Sequence, residues 1–394
     1  MKKRSVRKVL AGFLAVVTVA SFTACGNKES GNGGQCDNCC ENNASAGASS
    51  GAAAAGTAGT ASGSEGPVEL VNVDFAVASS GYGGLLPVIA AYGNTDEAVG
   101  LNFVLQNVGT ASETLAAIES GKVNVGGFSA PAPLLSIASG ESNLIIIGGQ
   151  MSDYESLIVL PENKDAWSGK LTADLLAGKT IAVNRTNSGD IALRAYLAEN
   201  GIDLSTINYV ELDSGASVVE AVKKGEADAG IVNGGFYKSA EESGLVNVQF
   251  IREIIGDDFI CCRQMVSREG FDENRELYVK VEKALILAYE IYRSNPDLAV
   301  ELGAQYITSS PEDIRYIVYE YGDLGLSPDP NIAGIRSYYE GMKLSGYIDA
   351  ATAQSLDGHL DASIYKQALD ELLAEQPENE YFLELLEAYN ANDL

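Results

Sequence analysis

A short polar stretch, residues 184–189, places a guanidinium just before the start of a predicted helix. Arg185 stands three positions before Ser188, and from Ser188 onward the apolar spacing predicts a helix. The free N–H groups of a helix N-terminus favour an anion, and a guanidinium forms paired hydrogen bonds with oxyanions. We therefore expect Arg185, Asn187, Ser188 and Gly189 to bind an anionic group of a small molecule. The alternative is that Asn187 or Ser188 only caps the helix while Arg185 pairs with an exposed acid.

Other polar and aromatic residues follow segments that are predicted to be strands. Open α/β sheets bind ligands beyond the carboxyl ends of their strands, so these residues are candidates for the same site. Hydroxyls, amides and bare backbone N–H groups would fix a polar ligand, and the aromatic rings would flank its body or would simply belong to the core. The candidates are Ser80, Gly81, Tyr82, Thr110, Phe128, Ser129, Asn233 and Phe236.

Strand-like and helix-like segments alternate along two stretches of the chain. The alternation with short loops predicts βαβ units and a parallel sheet with helices on its faces. The first stretch has predicted strands at 68–78, 102–108, 123–127 and 144–149, with helices at 85–92, 112–120 and 133–139. After a connecting stretch, 150–168, the second has strands at 180–183, 208–212 and 229–232, with helices at 188–200 and 217–224.

After residue 260 the pattern is helical, with predicted helices at 275–294, 311–321, 332–344, 363–375 and 380–388. The last two are acidic, and the sequence leaves open whether they cover the first lobe or contact a partner. We expect an α/β fold of two lobes. Residues 68–155 would form the first part of lobe one, 156–259 lobe two, and 260–394 the return to lobe one with C-terminal helices.

The N-terminus has the features of an export signal. Basic residues precede an apolar run at 9–20, which is too short to span a bilayer and is followed by small residues. The segment 22–25 resembles the bacterial lipobox, so we expect residues 1–24 to be a lipoprotein signal peptide and Cys25 to be acylated. Residues 25–67, rich in Gly, Ala, Ser and Asn, are predicted to be a flexible tether. An ordinary signal peptide with an incidental cysteine is the alternative.

Composition excludes several classes of function. The formal net charge is −28, and nucleic-acid binding depends on clustered Lys and Arg, so nucleic acid is not an expected partner. Cys36, Cys39 and Cys40 lie in the tether without a second ligand pair, so no metal or cofactor is expected. Cys261 and Cys262 are adjacent. We favour free thiols over a strained vicinal disulfide there, and Arg263 is a further candidate for the cleft.

Two stretches repeat one pattern, in which a helix ends at a glycine and a short strand follows. Together with three further segments, their order and spacing resemble the sulfonate, nitrate and taurine family of ABC-importer binding proteins, which includes receptors for pyrimidine precursors. The repeated stretches are residues 113–126 and 218–230, and the further segments are 175–183, 193–201 and 289–299, the last of which holds an Asn-Pro pair.

The resemblance implies a type II periplasmic-binding-protein fold, in which a cleft between two lobes closes on a small ligand. It implies a monomer without catalytic activity that works with an ABC permease and ATPase on the outer face of the bacterial cell membrane, held there by its lipid alone. The expected ligand is a small anion, such as a sulfonate, taurine or nitrate, or a thiamine precursor.

Two alternatives remain open. A ligand-sensing lipoprotein would need the same cleft and a docking surface. The pyrimidine synthase of thiamine biosynthesis shares the fold but is an iron-dependent enzyme that needs His and clustered Cys in the cleft. The single histidine here, His359, lies in the tail, which argues against that enzyme.

Overall fold

The computed structural model describes residues 69–184, 187–256, 259–322 and 324–393. Its strands are β1 Val71–Val77, β2 Leu101–Asn107, β3 Val125–Ser129, β4 Leu144–Asp153, β5 Glu155–Val159, β6 Thr180–Asn184, β7 Asn208–Leu212, β8 Ala229–Asn233, β9 Val246–Phe250, β10 Ile260–Ser267 and β11 Leu324–Leu326.

The helices that precede β10 are α1 Leu85–Gly93, α2 Ala111–Glu119, α3 Pro131–Ala138, α4 Lys164–Trp167, α5 Ala173–Leu176, α6 Ser188–Glu199, α7 Gly215–Lys223, α8 Tyr237–Glu242 and α9 Ile251–Ile255. Those that follow it are α10 Arg268–Glu273, α11 Arg275–Ser294, α12 Pro296–Gly303, α13 Pro311–Arg315, α14 Ile332–Leu344, α15 Ser363–Glu375 and α16 Glu380–Asn392. None of the described helices is both long enough and apolar enough to cross a bilayer.

The strands form two sheets, one for each lobe. The first has the order β11-β4-β10-β3-β1-β2 and the second the order β7-β6-β8-β5-β9. Strand β1 pairs in parallel with β2 and β3, and β6 pairs in parallel with β7 and β8, as the βαβ pattern predicts. The predicted parallel pairing is confirmed for these strands, whereas β4, β5 and β10 pair antiparallel with their neighbours.

The antiparallel strands arise where the chain passes from one sheet to the other. Only Tyr154 separates β4 from β5, and the backbone turns there with φ of 60° at Asp153 and 95° at Tyr154. Part of the predicted connecting stretch is therefore strand. Such backbone angles are rare for residues with a side chain and often mark functional positions.

Strand β10, Ile260–Ser267, precedes the first helix predicted after residue 260, and the sequence pattern predicts no strand there. It lies between β3 and β4 and is largely buried on both faces, including the polar residues Arg263 and Gln264. A central strand buried on both faces does not alternate between apolar and polar residues, so the two-residue period of a strand is not visible in its sequence. This strand returns the chain to the first sheet.

The acidic C-terminal helices pack on the first lobe. Helix α15 lies along α11, with Lys283 Nζ 3.3 Å from Glu371 and 3.5 Å from Glu375. Helix α16 contacts α15 and α11 and buries Phe382. The sequence left open whether these helices cover the first lobe or contact a partner. Within the described residues, both helices cover the first lobe.

Candidate functional site

A cavity of about 360 Å³ is lined by residues from both sheets. The loops that follow β1 and β2, with the last residues of β3, form one wall, and the ends of β6 and β8 with the start of α6 form the opposite wall. The floor is the region where β4 passes into β5, beside β10. The cavity therefore lies at the carboxyl ends of the parallel strands, where open α/β sheets bind ligands.

The loop between β1 and α1 supplies backbone groups and one ring. Tyr82 is 4% exposed, its hydroxyl donates to Ser309 Oγ at 3.1 Å, and its ring meets that of Tyr154 edge-on at 6.0 Å between centroids. A Cβ at Gly84 would lie 2.2 Å from Val77, so this close turn requires glycine. The loop thus holds Tyr82 at a fixed position in the wall.

The start of α6 forms the opposite wall. Asn187 caps this helix, since its side chain accepts a hydrogen bond from the Asp190 backbone N–H at 2.9 Å. The Ser188 hydroxyl lies 3.3 Å from that of Ser129, which ends β3 in the other sheet. Tyr338 donates to the Ser188 carbonyl at 3.0 Å. These contacts hold the two lobes together at the edge of the cavity.

Two opposed bulges aim side chains of β4 and β10 at the cavity. Ile260 pairs with Ser152 and Cys262 with Met151, which leaves Cys261 without a partner on β4. Arg263 then pairs with Gly149, which leaves Gln150 without a partner on β10. Bulges commonly redirect side chains beside functional sites. Both Gln150 and Cys261 line the cavity.

The Gln150 amide has unused hydrogen-bonding capacity. The residue is 1% exposed, and among the described residues its Nε2 has no hydrogen-bond partner. The amide lies over Gly127, where a Cβ would be 1.8 Å from Nε2. A buried donor is nearly always satisfied in a native protein, so this group points to a ligand or a water in the cavity.

One charged side chain lies in the cavity floor. Glu155 is 3% exposed, and the Asn187 Nδ2 group donates to its Oε1 at 3.5 Å. Of the described residues that line the cavity, none is Lys, Arg or His. Helix α6 packs closely against Glu155 because residue 189 is glycine. A Cβ at Gly189 would lie only 2.7 Å from Glu155 Cβ. The described lining is therefore polar with one buried carboxylate.

Tyr154 lies between the two sheets and is buried by both of them. Its carbonyl accepts a hydrogen bond from Gly234 N–H at 3.0 Å, and its ring occupies the space that a Cβ at Gly234 would need. Burial raises the pKa of Tyr154 well above its usual range, so its hydroxyl stays protonated at neutral pH. It can serve as a neutral wall or as a hydrogen-bond donor.

Most of the residues that the sequence identifies as ligand-binding candidates line this cavity. They are Ser80, Gly81, Tyr82, Phe128, Ser129, Asn187, Ser188 and Asn233. Arg185 lies outside the described residues. The sequence did not identify Gln150, Glu155, Cys261 or Cys262 as candidates for binding.

Four other candidates lie elsewhere. Thr110 caps α2, where its hydroxyl accepts from the Glu113 backbone N–H at 3.2 Å, and Gly189 lies behind the cavity against Glu155. Phe236 packs against Gly215, whose Cβ would be 2.4 Å from the ring. Arg263 faces away and donates to the carbonyls of Pro330 and Met151 at 3.0 and 2.8 Å.

A second cavity, of about 470 Å³, lies between α6 and α14 and is lined by residues such as Ile191, Ala195 and Tyr338. It is larger, but it lies between two helices and not at strand ends. The smaller cavity has the buried carboxylate, the unsatisfied amide and the contact between lobes, so we assign the candidate site to it.

Residues 95–285 match the family model of the phosphonate ABC-transporter periplasmic substrate-binding proteins. This segment is similar to the ABC-type periplasmic substrate-binding proteins. No curated protein sequence matches the chain. The family resemblance inferred from the sequence is confirmed at this level, although the matching model is described for phosphonate.

Solved periplasmic binding proteins share the two-lobed fold. The aliphatic sulphonate-binding protein of Escherichia coli is 14% identical with a TM-score of 0.59, over 74% of this chain and 91% of that one. The nitrate-binding protein of Synechocystis PCC 6803 is 13% identical with a TM-score of 0.59, over 80% and 92%. The alkanesulfonate-binding protein of Xanthomonas axonopodis pv. citri, bound to MOPS, is 14% identical with a TM-score of 0.56, over 75% and 99%. At these identities the likeness shows the fold.

His359 lies far along β4 from the cavity. Its Nδ1 is 2.8 Å from the carbonyl of Leu144, the first residue of β4, whereas the cavity contacts Gln150 and Met151 near the other end of the strand. Within the described ranges, no group of three or more His, Cys, Asp or Glu side chains could hold a metal ion.

Proposed function

We propose that this protein is an extracytoplasmic solute-binding lipoprotein of an ABC importer, and that its solute is a compact zwitterion with one acidic group and one amine. The observation that carries the proposal is the buried Glu155 carboxylate in a cavity lined by both lobes. The sequence predicts an anionic group on the solute, and the Glu155 carboxylate in the lining favours a cationic group as well.

The amine would bind at the floor. Opposite charges attract more strongly where the local dielectric constant is low, so the Glu155 carboxylate in the buried lining favours a solute that carries an ammonium group. An ionised carboxylate offers about four lone-pair sites, so Glu155 can accept from an ammonium group in addition to Asn187. Tyr82 and Tyr154 stand nearby with rings that can flank a cation.

The acidic group would bind at the rim between the lobes. Ser129 and Ser188 bring hydroxyls from opposite walls, Ser80 adds another, and the Gln150 amide offers an unsatisfied donor. Arg185 remains our proposed cation for this end, and the start of α6 adds a favourable dipole. A sulfonate, phosphonate or carboxylate has the acceptors that these donors require.

The size of the cavity supports a small solute. About 360 Å³ lies near the lower end of the range for ligand pockets. An acid and an amine joined by a short alkyl chain, such as taurine or 2-aminoethylphosphonate, has the matching chemistry.

Capture would proceed by lobe closure. The chain passes between the sheets at Tyr154, where φ is positive, and the lobes meet through Ser129 and Ser188. A few residues at element ends that absorb a change in φ and ψ are the usual hinge of two-lobed binding proteins. We propose that residues 68–155 and 260–394 move as one lobe against residues 156–259.

Delivery would depend on the N-terminus. We propose that residues 1–24 are removed, that Cys25 is acylated, and that residues 25–67 tether a monomeric receptor to the membrane near an ABC permease and ATPase. A single folded domain on a flexible tether can dock on its transporter without leaving the membrane surface.

A thermal-shift screen of the purified protein tests the binding proposal, because a ligand that binds only the folded state raises the melting temperature. The compounds are taurine, 2-aminoethylphosphonate and β-alanine, each compared with its analogue that lacks the amine, and with nitrate. We expect an aminoalkyl acid to raise the melting temperature more than its analogue. A larger shift with the analogues or nitrate would contradict the zwitterion, and no shift with any compound would contradict this solute class.

A further inference from the structure

Cys261 and Cys262 form a dithiol in the wall of the solute cavity. Their sulfur atoms lie 3.6 Å apart, and both residues line the cavity. We propose that this pair is a redox site that exchanges with small disulfides of the glutathione type and closes to a vicinal disulfide. The consequence for solute capture rests on the proposed function, whereas the exchange itself does not.

The strand geometry makes the pair unusual. In a regular strand, successive side chains point to opposite faces, so neighbouring cysteines lie apart. Here Cys261 is the extra residue of a bulge, with register shifts on both sides of Cys262. The Cys261 carbonyl is held by Ala130 N–H at 2.7 Å. The bulge thus turns two adjacent thiols toward one cavity, where a regular strand would bury one and expose the other.

The two thiols differ in access, which sets the order of reaction. Cys262 is partly exposed and lies beside Gly83, whose Cβ position is 3.3 Å from Cys262 Sγ. Cys261 is 5% exposed and lies behind it. The contact with the Cys262 thiol and burial raise the pKa of the Cys261 thiol, so Cys261 is the poorer nucleophile toward a reagent in solution. Cys262 therefore reacts first and Cys261 resolves.

The exchange balances in two steps. The Cys262 thiolate attacks one sulfur of oxidised glutathione, a mixed disulfide forms, and one glutathione thiolate leaves and takes up a proton. Cys261 then loses its proton, attacks Cys262 Sγ and displaces the second glutathione thiolate, which is protonated in turn. The protein loses two electrons and two protons, and two molecules of reduced glutathione are produced.

Formation of the disulfide between Cys261 and Cys262 would alter the solute site directly. The sulfur atoms must approach by roughly 1.5 Å to reach bonding distance. Cys261 lies against Ser188, the residue that contacts Ser129 across the cleft. Oxidation removes the Cys261 S–H group beside that contact and moves the wall next to Gly83. The dithiol would therefore couple the redox state outside the cell to solute capture.

The experiment uses the full chain with Ser at the four cysteines outside the described residues, Cys25, Cys36, Cys39 and Cys40. This parent and its Cys261→Ser and Cys262→Ser variants are incubated with oxidised glutathione. Each protein is tested both in its folded state and after unfolding in urea. Intact mass and free-thiol counts are followed, and circular dichroism checks that the variants fold. No solute is present, so failure of the solute screen and failure of the exchange are separate results.

We expect the folded parent to lose both thiols and two hydrogen atoms, without a lasting glutathione adduct. The Cys261→Ser variant should keep one glutathione on Cys262, and the Cys262→Ser variant should react at least about tenfold more slowly because its remaining thiol is buried. A folded parent that is inert, that keeps a stable adduct, or that forms the internal disulfide no faster than the chain in urea would overturn the proposal.

Discussion

Ser129 and Ser188 lie 3.3 Å apart, hydroxyl to hydroxyl, across the cleft between the two lobes. Ser129 is the last residue of β3 in the first sheet, and Ser188 is the first residue of α6, which packs beside the second sheet. The solute cavity lies beside this contact. The contact thus links closure of the lobes to the residues that line the site.

Removal of either hydroxyl should weaken solute binding by destabilising the closed form. A neutral hydrogen bond contributes about 0.5–1.5 kcal/mol, so Ser129→Ala or Ser188→Ala should raise the Kd of the solute about two- to tenfold. Calorimetric titration measures this. Ser139→Ala, at an exposed helix end, is the matched control. Equal affinity in all four proteins would show that the contact does not contribute to capture.

The space above Gly127 is filled by the Gln150 amide. A Cβ at Gly127 would lie 1.8 Å from Gln150 Nε2, so Gly127→Ala must displace a buried amide. We expect a loss of about 1–3 kcal/mol in the free energy of unfolding, as for other overpacked sites. Urea denaturation measures it. Gly169→Ala, with nothing within 4 Å of the new methyl group, should change stability little, and similar losses in both variants would contradict the packing described here.

A buried ion pair holds the first turn of α6. Asp190 Oδ2 lies 2.8 Å from Arg194 Nη2 and accepts from the Tyr347 hydroxyl at 2.8 Å, and the guanidinium lies 3.6 Å from the centre of the Tyr209 ring. Removal of one partner leaves a buried charge, so Asp190→Ala should destabilise the protein by about 3–5 kcal/mol. Equilibrium unfolding measures the change.

A double-mutant cycle separates the pair from the packing around it. The double variant Asp190→Ala, Arg194→Met removes both charges and should be less destabilised than the sum of the two single variants. Strict additivity would show that the two side chains do not interact.

The stability of the protein should depend on pH through Asp393. Burial and the neighbouring Asp329 carboxylate raise the pKa of Asp393 from its ordinary 3.8 to about 7. The folded state therefore holds a proton that the unfolded state loses, and this contribution to stability is full below about pH 4 and is lost as the pH rises through 7. Arg263 also faces the pair, and Ile332 N–H donates to Asp393 Oδ1 at 2.6 Å.

The Asp393→Asn variant isolates this effect, because an amide keeps the acceptor for Ile332 and cannot ionise. Urea midpoints between pH 4 and pH 8 should fall with rising pH more steeply for the parent than for the variant. The exposed Asp272→Asn variant is the control and should follow the parent. Parallel curves for the parent and Asp393→Asn would rule out this origin of pH dependence.

The part of the site that the sequence predicts comes from the βαβ units. Ser80 follows a parallel strand and Ser129 and Asn233 end two others, and the carboxyl ends of such strands meet at one edge of a sheet. Asn187 and Ser188 stand at a helix start, where capping chemistry is visible in the sequence. Thr110 and Phe236 also follow predicted strands, but Thr110 caps α2 and Phe236 packs on Gly215. The sequence indicates the position of a residue relative to a strand, but it does not indicate what the side chain contacts.

The rest of the site depends on antiparallel strands. Gln150 and Cys261 reach the cavity through bulges in β4 and β10, and strand register is not encoded in any local spacing. Glu155 carried one usable signal, since this acid lies in a short segment between two apolar runs, residues 144–149 and 157–160. An ionisable residue that is buried between such runs has to be paired or functional.

The central claim, that an aminoalkyl acid binds in the cavity with its amine on Glu155, is tested most directly by calorimetric titration of the parent, Glu155→Gln and the exposed control Glu220→Gln. The solute is the aminoalkyl acid with the largest thermal shift. Loss of one partner of a buried charge pair costs about 2–5 kcal/mol, so Glu155→Gln should raise the Kd at least about tenfold while Glu220→Gln leaves it unchanged. A Glu155→Gln variant that binds the solute as tightly as the parent would contradict the claim.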